Sequence, residues 1–267
     1  MWPLERRERE TLRLGRTTVE RWVGRGANLF LLAQQAWASE NVDGLAPALR
    51  SLYSQAPAGP IDVLIESALL PLLLADTGER VWSPAQAEAL IRHRFGLLCD
   101  RGTEPVDQWD VRVDHRAGER HALGYGMPAA LKRGLAEAAQ QLGLRWSVWL
   151  PACLWGLQRE RARPKAGWWA WPEQDRLLLM RLERGRVVAL NPAVDLVETS
   201  DALAQRVRIE NVRYGFNLSD LAVRAASWRP VTDLPAGTSQ VQWLSIVGSP
   251  SAVGHTMPSS VSSGKAQ

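Results

Sequence analysis

Lysine is nearly missing from this 267-residue chain: Lys132, Lys165 and Lys265 stand against 29 arginines, and the formal net charge is only +4. The arginines alternate with acids, as in Glu5–Glu10 and Arg181–Arg186. There is no basic stripe with interleaved aromatics, the footprint of a nucleic-acid surface, so no nucleic-acid partner is expected. Cysteine is scarce as well. Cys99 and Cys153 cannot form a disulfide framework or a zinc site, neither has a histidine at ligand spacing, and both read as small core hydrophobes. No apolar run approaches the roughly 20 residues that cross a bilayer. Residues Met1 to Arg9 mix both charge signs and lead into no apolar stretch, so a secretory signal is not expected and the expected location is the cytoplasm. Phenylalanine and tyrosine are rare, three of each, whereas tryptophan is abundant at 13. Each indole buries a large area yet carries a donor that needs a partner, which favours half-buried and interface positions. With 46% apolar and 22% charged residues the balance is globular, and the length allows two compact units at most.

Along the chain, Thr11–Leu14 and Thr17–Val23 read as a hairpin joined at Gly15-Arg16. Asn28–Trp37 is ambiguous between strand and helix. Leu45, Leu49 and Leu52 then recur at helical spacing until Pro57, Gly59 and Pro60. Ile61–Ile65 and Leu69–Leu74 are of strand length. Ser83-Pro84-Ala85-Gln86 is a helix start, with Ser as N-cap and Gln at the capping-box position. Trp109, Val111 and Val113 alternate with acids and Arg112 as a half-buried strand, returning through Arg120–Gly126 as a second hairpin. Pro128 opens a helix stopped by Gly143. A strand over 144–150 and a helix over 151–161 follow, then three strands (168–171, 177–182, 187–190) and a helix near Ser200–Arg208. From about Arg229 the chain is rich in Pro, Ser and Gly and is expected to be disordered. Strand pairs leading into helices, twice over, imply an α/β protein with mixed sheets.

Few residues suggest chemistry. Gly124-Tyr125-Gly126 lies between a strand and a helix start, where backbone amides can hold an anion; the alternative is an ordinary strand-to-helix turn without G-x-G-x-x-G or Walker lysine. Asp110 and Asp114 share one side of a strand and Glu137 sits on the next helix, loosely a two-metal nuclease set that the alternation of a half-solvated strand explains equally. His93, His115, His121 and His255 make no paired metal spacing, no G-x-S-x-G elbow is present, and neither cysteine has a nominated base. In Trp168-Trp169-Ala170-Trp171, Trp169 and Trp171 share one face of a strand and Trp168 takes the other, either as core or as a partner surface.

The order of elements resembles the actin-like fold built from ribonuclease-H-like lobes. It is most similar to the cytoplasmic actin-like proteins of type IV pilus and type II secretion platforms, the PilM/GspL group. The likeness rests on residues Leu12–Glu20, on Ile61–Trp109, and on the Trp168–Leu190 meander. Where that family carries the Asp of a D-x-G-S/T phosphate turn this chain has Arg13, and Glu20 stands in place of a basic residue. At the second D-x-G turn stand Ala170-Trp171-Pro172. The resemblance therefore implies a degenerate member with no catalysis and no bound cofactor. An ATP/magnesium site, with Gly124 and Gly126 as phosphate contacts, belongs to the alternative of an actin-like ATPase or phosphotransferase. A ribonuclease-H-like nuclease on Asp110, Asp114 and Glu137 is a third. The implied layout is a first lobe over 1–163 with an inserted hairpin-helix unit, a reduced second lobe over 164–228 and a tail over 229–267. The implied role is a scaffold receiving the cytoplasmic tail of an inner-membrane pilus or secretion protein. With no anchor of its own, the chain would touch the membrane only peripherally.

Overall fold

A computed structural model describes residues 9–25, 28–38, 42–54, 59–78, 82–99, 105–116, 118–159, 165–197, 199–217, 222–228 and 235–245. The chain opens with an antiparallel meander, β1 (Arg9–Leu14), β2 (Thr18–Arg25) and β3 (Asn28–Ala36), so the ambiguous third run is a strand. Alternation decides the faces of β1. Leu12 and Leu14 point into one core with helices α1 (Leu45–Leu52) and α3 (Ala129–Leu142), which leaves Arg13 facing the other side. β4 (Ile61–Ile65) lies parallel to β1, and β8 (Trp146–Pro151) lies parallel to β4, giving the order β3-β2-β1-β4-β8. All five residues of β4 are buried, as expected of a parallel strand covered on both faces.

The second lobe repeats this plan. β9 (Gly167–Pro172), β10 (Leu177–Glu183) and β11 (Arg186–Val194) form an antiparallel meander. β12 (Val223–Ser227) runs parallel to β9 and β13 (Val241–Ser245) parallel to β12, in the order β11-β10-β9-β12-β13. Two sheets with the same order and the same pattern of antiparallel and parallel pairs are a duplicated ribonuclease-H-like arrangement. Among the described residues the second lobe is full in its sheet and reduced in its helices to α5 (Ser200–Tyr214). Inserted in the first lobe's sequence between β4 and β8 is a smaller antiparallel sheet, β5 (Leu72–Asp76), β7 (His121–Met127) and β6 (Asp110–Asp114), backed by α2 (Pro84–Cys99). Helix α4 (Ala152–Arg159) follows β8.

Local signals explain several boundaries. Ser83 and Gln86 cap α2 reciprocally, at 2.8 and 3.2 Å. Gly143 and Gly215 take left-handed φ of 65° and 71° to close α3 and α5. Arg184 (φ 49°) and Gly185 (φ 75°) make the two-residue turn joining β10 to β11.

Two expectations need correction. Trp168, Trp169 and Trp171 are at most 1% exposed, so they are core and not a partner surface. Trp169 and Trp171 face the core shared with Trp22, Trp155 and Leu64, while Trp168 packs beneath α5 and donates to Asn211 at 2.8 Å. The stretch 229–267 is not wholly without structure. Val241–Ser245 extends the second sheet, because Val241 is buried against that sheet's core and Thr238 turns the chain into β12's open edge. Residues 229–234 and 246–267 lie outside those described.

Gly156 on α4 shows how tightly this core is filled: a Cβ there would fall within the Trp171 ring. A rigid indole yields less than a flexible side chain, so Gly156→Ala should destabilise by about 1–3 kcal/mol. Urea denaturation reads this as a lowered midpoint at unchanged slope.

Candidate functional site at the lobe junction

The first turns of the two meanders, between β1 and β2 and between β9 and β10, are where an actin-like protein would grip phosphate. In this chain they meet each other. Gln174, in the second turn, inserts its carboxamide into the first. Its Oε1 accepts from the main-chain N–H groups of Thr17 (2.8 Å) and Thr18 (3.2 Å) and from the Thr17 hydroxyl (3.0 Å). Its Nε2 donates to the Thr18 carbonyl at 3.2 Å and to the Thr18 hydroxyl. Two amides and a hydroxyl converging on one oxygen are the donors an anion would use. Here a neutral side chain of the same protein holds them. Gly15 is required for the approach, because a Cβ there would collide with the Gln174 carboxamide.

Beneath this plug lies a buried charge cluster. Arg13, 5% exposed, pairs with Glu20 at 3.1 Å and with Glu66, and its guanidinium lies 4.3 Å from the ring of Trp228. Glu66 also accepts from the main-chain N–H of Gln174 at 3.2 Å. Glu173, next to the plug, accepts from the Ser67 main-chain N–H and hydroxyl, both at 2.6 Å. Each contact crosses from first lobe to second except the pairs of Arg13 with Glu20 and Glu66. Trp228 continues the seam through Trp22 (5.1 Å between centroids), Trp171 (5.6 Å) and Trp155 (6.4 Å). At the rim Arg16 pairs with Asp175 at 3.2 Å.

Two buried carboxyl groups, Glu20 and Glu66, thus share one buried guanidinium, and a third, Glu173, lies nearby. Burial raises the pKa of Glu66, against the opposing pull of Arg13. Glu173 has no cation in direct contact, and burial together with the nearby Glu66 charge pushes it up to about 7. Burial likewise drives the Cys153 thiol well above its ordinary value, as befits an unreactive core residue.

The cleft fits neither a triphosphate nor its magnesium ion. Arg13 stands in place of the carboxylate of the first turn, Pro172 lacks the amide hydrogen at the second, and Gln174 occupies the remaining donors. Gly124 and Gly126, the alternative phosphate contacts, lie within β7. A Cβ on Gly124 would strike Ile91, and one on Gly126 would come within 2.9 Å of Trp109, so both glycines let α2 and its loop pack onto the small sheet. Of the nuclease set, Lys132 takes Asp110 at 2.8 Å and Arg186 takes Asp114 at 3.0 Å. Among the described residues no three His, Cys, Asp or Glu side chains are grouped to hold a metal ion. Glu66, Ser67, Glu173 and Gln174 carried no signal in the sequence, since their contacts join positions 53 to 157 apart.

The charge state of Glu173 makes stability depend on pH. Its pKa rises from 4.5 to about 7 on folding, so its contribution is complete below the unfolded value and is lost as pH climbs through about 7, a loss of about 3 kcal/mol. Urea midpoints should fall between pH 5 and pH 8, and Glu173→Gln should flatten that fall. A midpoint that rises across this range, or a variant with the wild-type slope, would contradict the assignment.

No protein-family model matches the sequence, and no curated protein matches it. Solved structures do. The cytoplasmic domain of EpsL, an inner membrane component of the type II secretion system of Vibrio cholerae, aligns over 90% of both chains at 18% identity with a TM-score of 0.52. A Bacteroides thetaiotaomicron protein with an actin-like ATPase fold and unknown function covers 89% of this chain and 86% of its own at 12% identity, TM-score 0.49. The PilM-PilN type IV pilus biogenesis complex covers 80% and 68% at 14% identity, TM-score 0.47. No helix of the described residues is long and apolar enough to cross a membrane. At such identity the EpsL likeness is one of fold, and together with the duplicated sheet order it makes this chain an actin-like α/β protein with the architecture of the EpsL cytoplasmic domain.

Proposed function

We propose that this protein is a nucleotide-independent scaffold of an inner-membrane secretion or pilus assembly platform, working on the cytoplasmic face by binding a membrane protein's cytoplasmic segment. The observation that carries the reading is the Gln174 carboxamide seated on the Thr17 and Thr18 amides. A fold organised around a phosphate cleft has that cleft filled by its own side chain, with a cation where a metal-organising carboxylate is needed. Hydrolysis by this route lacks both the ligand pocket and the metal site, which supports a role through contacts and not chemistry. The setting is drawn from EpsL, itself an inner membrane component of a type II secretion system and alike in fold over 90% of its length. A peripheral location at the inner membrane belongs to the same proposal.

Titration calorimetry with ATP and magnesium should show no binding at millimolar nucleotide for the native chain. Micromolar, magnesium-dependent binding would overturn the nucleotide-independent reading. Co-purification from a native lysate with inner-membrane secretion or pilus platform proteins checks the other half, and failure to retain any of them would remove the assembly role.

A further inference from the structure

Two neighbouring residues on each side of the lobe junction clasp one another. Glu66, in the link after β4, accepts from the Gln174 main-chain N–H at 3.2 Å. Glu173, one residue before Gln174, accepts from the N–H and hydroxyl of Ser67, one residue after Glu66. A carboxyl group of each lobe therefore holds the main chain of the other, and both carboxyl groups are buried. The second turn is closed on itself, the Glu173 N–H donating to the Arg176 carbonyl at 2.9 Å. Residues 173–176 can consequently dock or undock as one unit, with the β9–β10 pairing left in place.

The charges around Glu173 leave it without a cation of its own. On the first lobe, Arg13 of β1 is taken by Glu20 of β2 at 3.1 Å and by Glu66. At the rim, Arg16 of the first turn and Arg176 of the second both pair with Asp175, at 3.2 and 2.9 Å. Cys153 of α4 brings no charge, because burial drives its thiol far up. The interior then holds one guanidinium against three carboxyl groups, and a bound proton relieves the excess. Glu20 and Glu66 each touch the guanidinium, which leaves Glu173 to carry the proton. Its Oε2 lies 2.6 Å from Ser67 Oγ, so the protonated acid donates to that hydroxyl while Oε1 goes on accepting from the Ser67 N–H.

We infer that the junction is a proton-operated clasp: a proton on Glu173 keeps the second turn docked on the first lobe, and loss of that proton undocks it. Undocking parts Glu173 from Ser67, Glu66 from the Gln174 main chain, and the Gln174 carboxamide from Thr17 and Thr18. Ionised in the closed junction, Glu173 faces the charge of Glu66 with no cation in contact; in the open junction it meets water. The closed form therefore binds the proton more tightly than the open one, and releasing the proton favours opening. Both sheets stay intact through this change, so the placement of the lobes, and of any surface that spans them, follows the ambient pH. The clasp is independent of the assembly role proposed above.

Amide hydrogen exchange of the full chain, expressed as protection factors so that the intrinsic effect of pH cancels, tests the clasp. With the Glu173 carboxyl titrating at 4.5 when open and about 7 when closed, protection at Thr17, Thr18, Ser67 and Gln174 should fall roughly fiftyfold between about pH 5 and pH 8, relative to Val63 and Leu64 of β4. Above that range the fall should level off. Glu173→Gln should hold the ratio within about threefold, because a carboxamide repeats both hydrogen bonds of the protonated acid with Ser67. Infrared difference spectra of the wild-type chain give a second readout that no variant's folding can spoil: a protonated-carboxyl band should fade with the midpoint at which protection is lost. A ratio unchanged by pH, or an equal loss in β4, would overturn the inference. So would a Glu173→Gln variant with the wild-type pH dependence, or a carboxyl band that fades at a different midpoint. No nucleotide or partner enters the measurement, so its outcome is distinct from that of the assembly proposal.

Discussion

Arg13 is the residue on which the arrangement of the two lobes depends. Its position on β1 follows from alternation, since Leu12 and Leu14 claim the opposite face. A guanidinium carried into the interior must be compensated there, and Glu20, Glu66 and the face of Trp228 provide that compensation. Glu66 belongs to the link after β4 and Trp228 to the residue after β12, so satisfying one buried charge draws the first lobe's sheet to the second lobe's strand end. A carboxylate at position 13 would reverse every term: it would face Glu20 and Glu66 with no cation and leave Trp228 without its partner. Restoring the acid of a phosphate turn in this background would dismantle the seam and would not rebuild a nucleotide site.

The same seam explains why the cleft is closed by Gln174. With Arg13 below and Glu66 accepting from the main chain of Gln174, the second turn is held over the first, and the exposed amides of Thr17 and Thr18 need an acceptor. A carboxamide meets that need without adding another buried charge to an acid-rich cluster.

Much of the framework was legible in the sequence because local rules govern it. The β1–β2 hairpin, the capping box at Ser83, the Gly143 stop and the Arg184-Gly185 turn were read from neighbouring residues, and the substitution of Arg13 for an acid was visible in the first turn. What escaped depended on distance along the chain. The plug joins residue 174 to residues 17 and 18, and the glycines of β7 left an anion turn open as an alternative to an ordinary turn because the Ile91 and Trp109 side chains that explain them come from other elements. The tryptophan run was open to both a core and a surface reading because indoles carry a donor, yet the nitrogens of Trp169 and Trp171 lie buried without a partner among the described residues, a cost met by the packing of two large rings. β13 was hidden within a Pro- and Gly-rich stretch, since a five-residue outer strand draws its order from β12 rather than from its own propensity.

The most direct measurement is a high-resolution crystal structure of the protein grown with a non-hydrolysable ATP analogue and magnesium. The Gln174 carboxamide should lie on the Thr17 and Thr18 amides, with Arg13 held between Glu20 and Glu66 and no nucleotide in the cleft. A triphosphate on those amides, with Gln174 displaced and the lobes reset around it, would contradict the claim that this actin-like fold has closed its phosphate cleft from within.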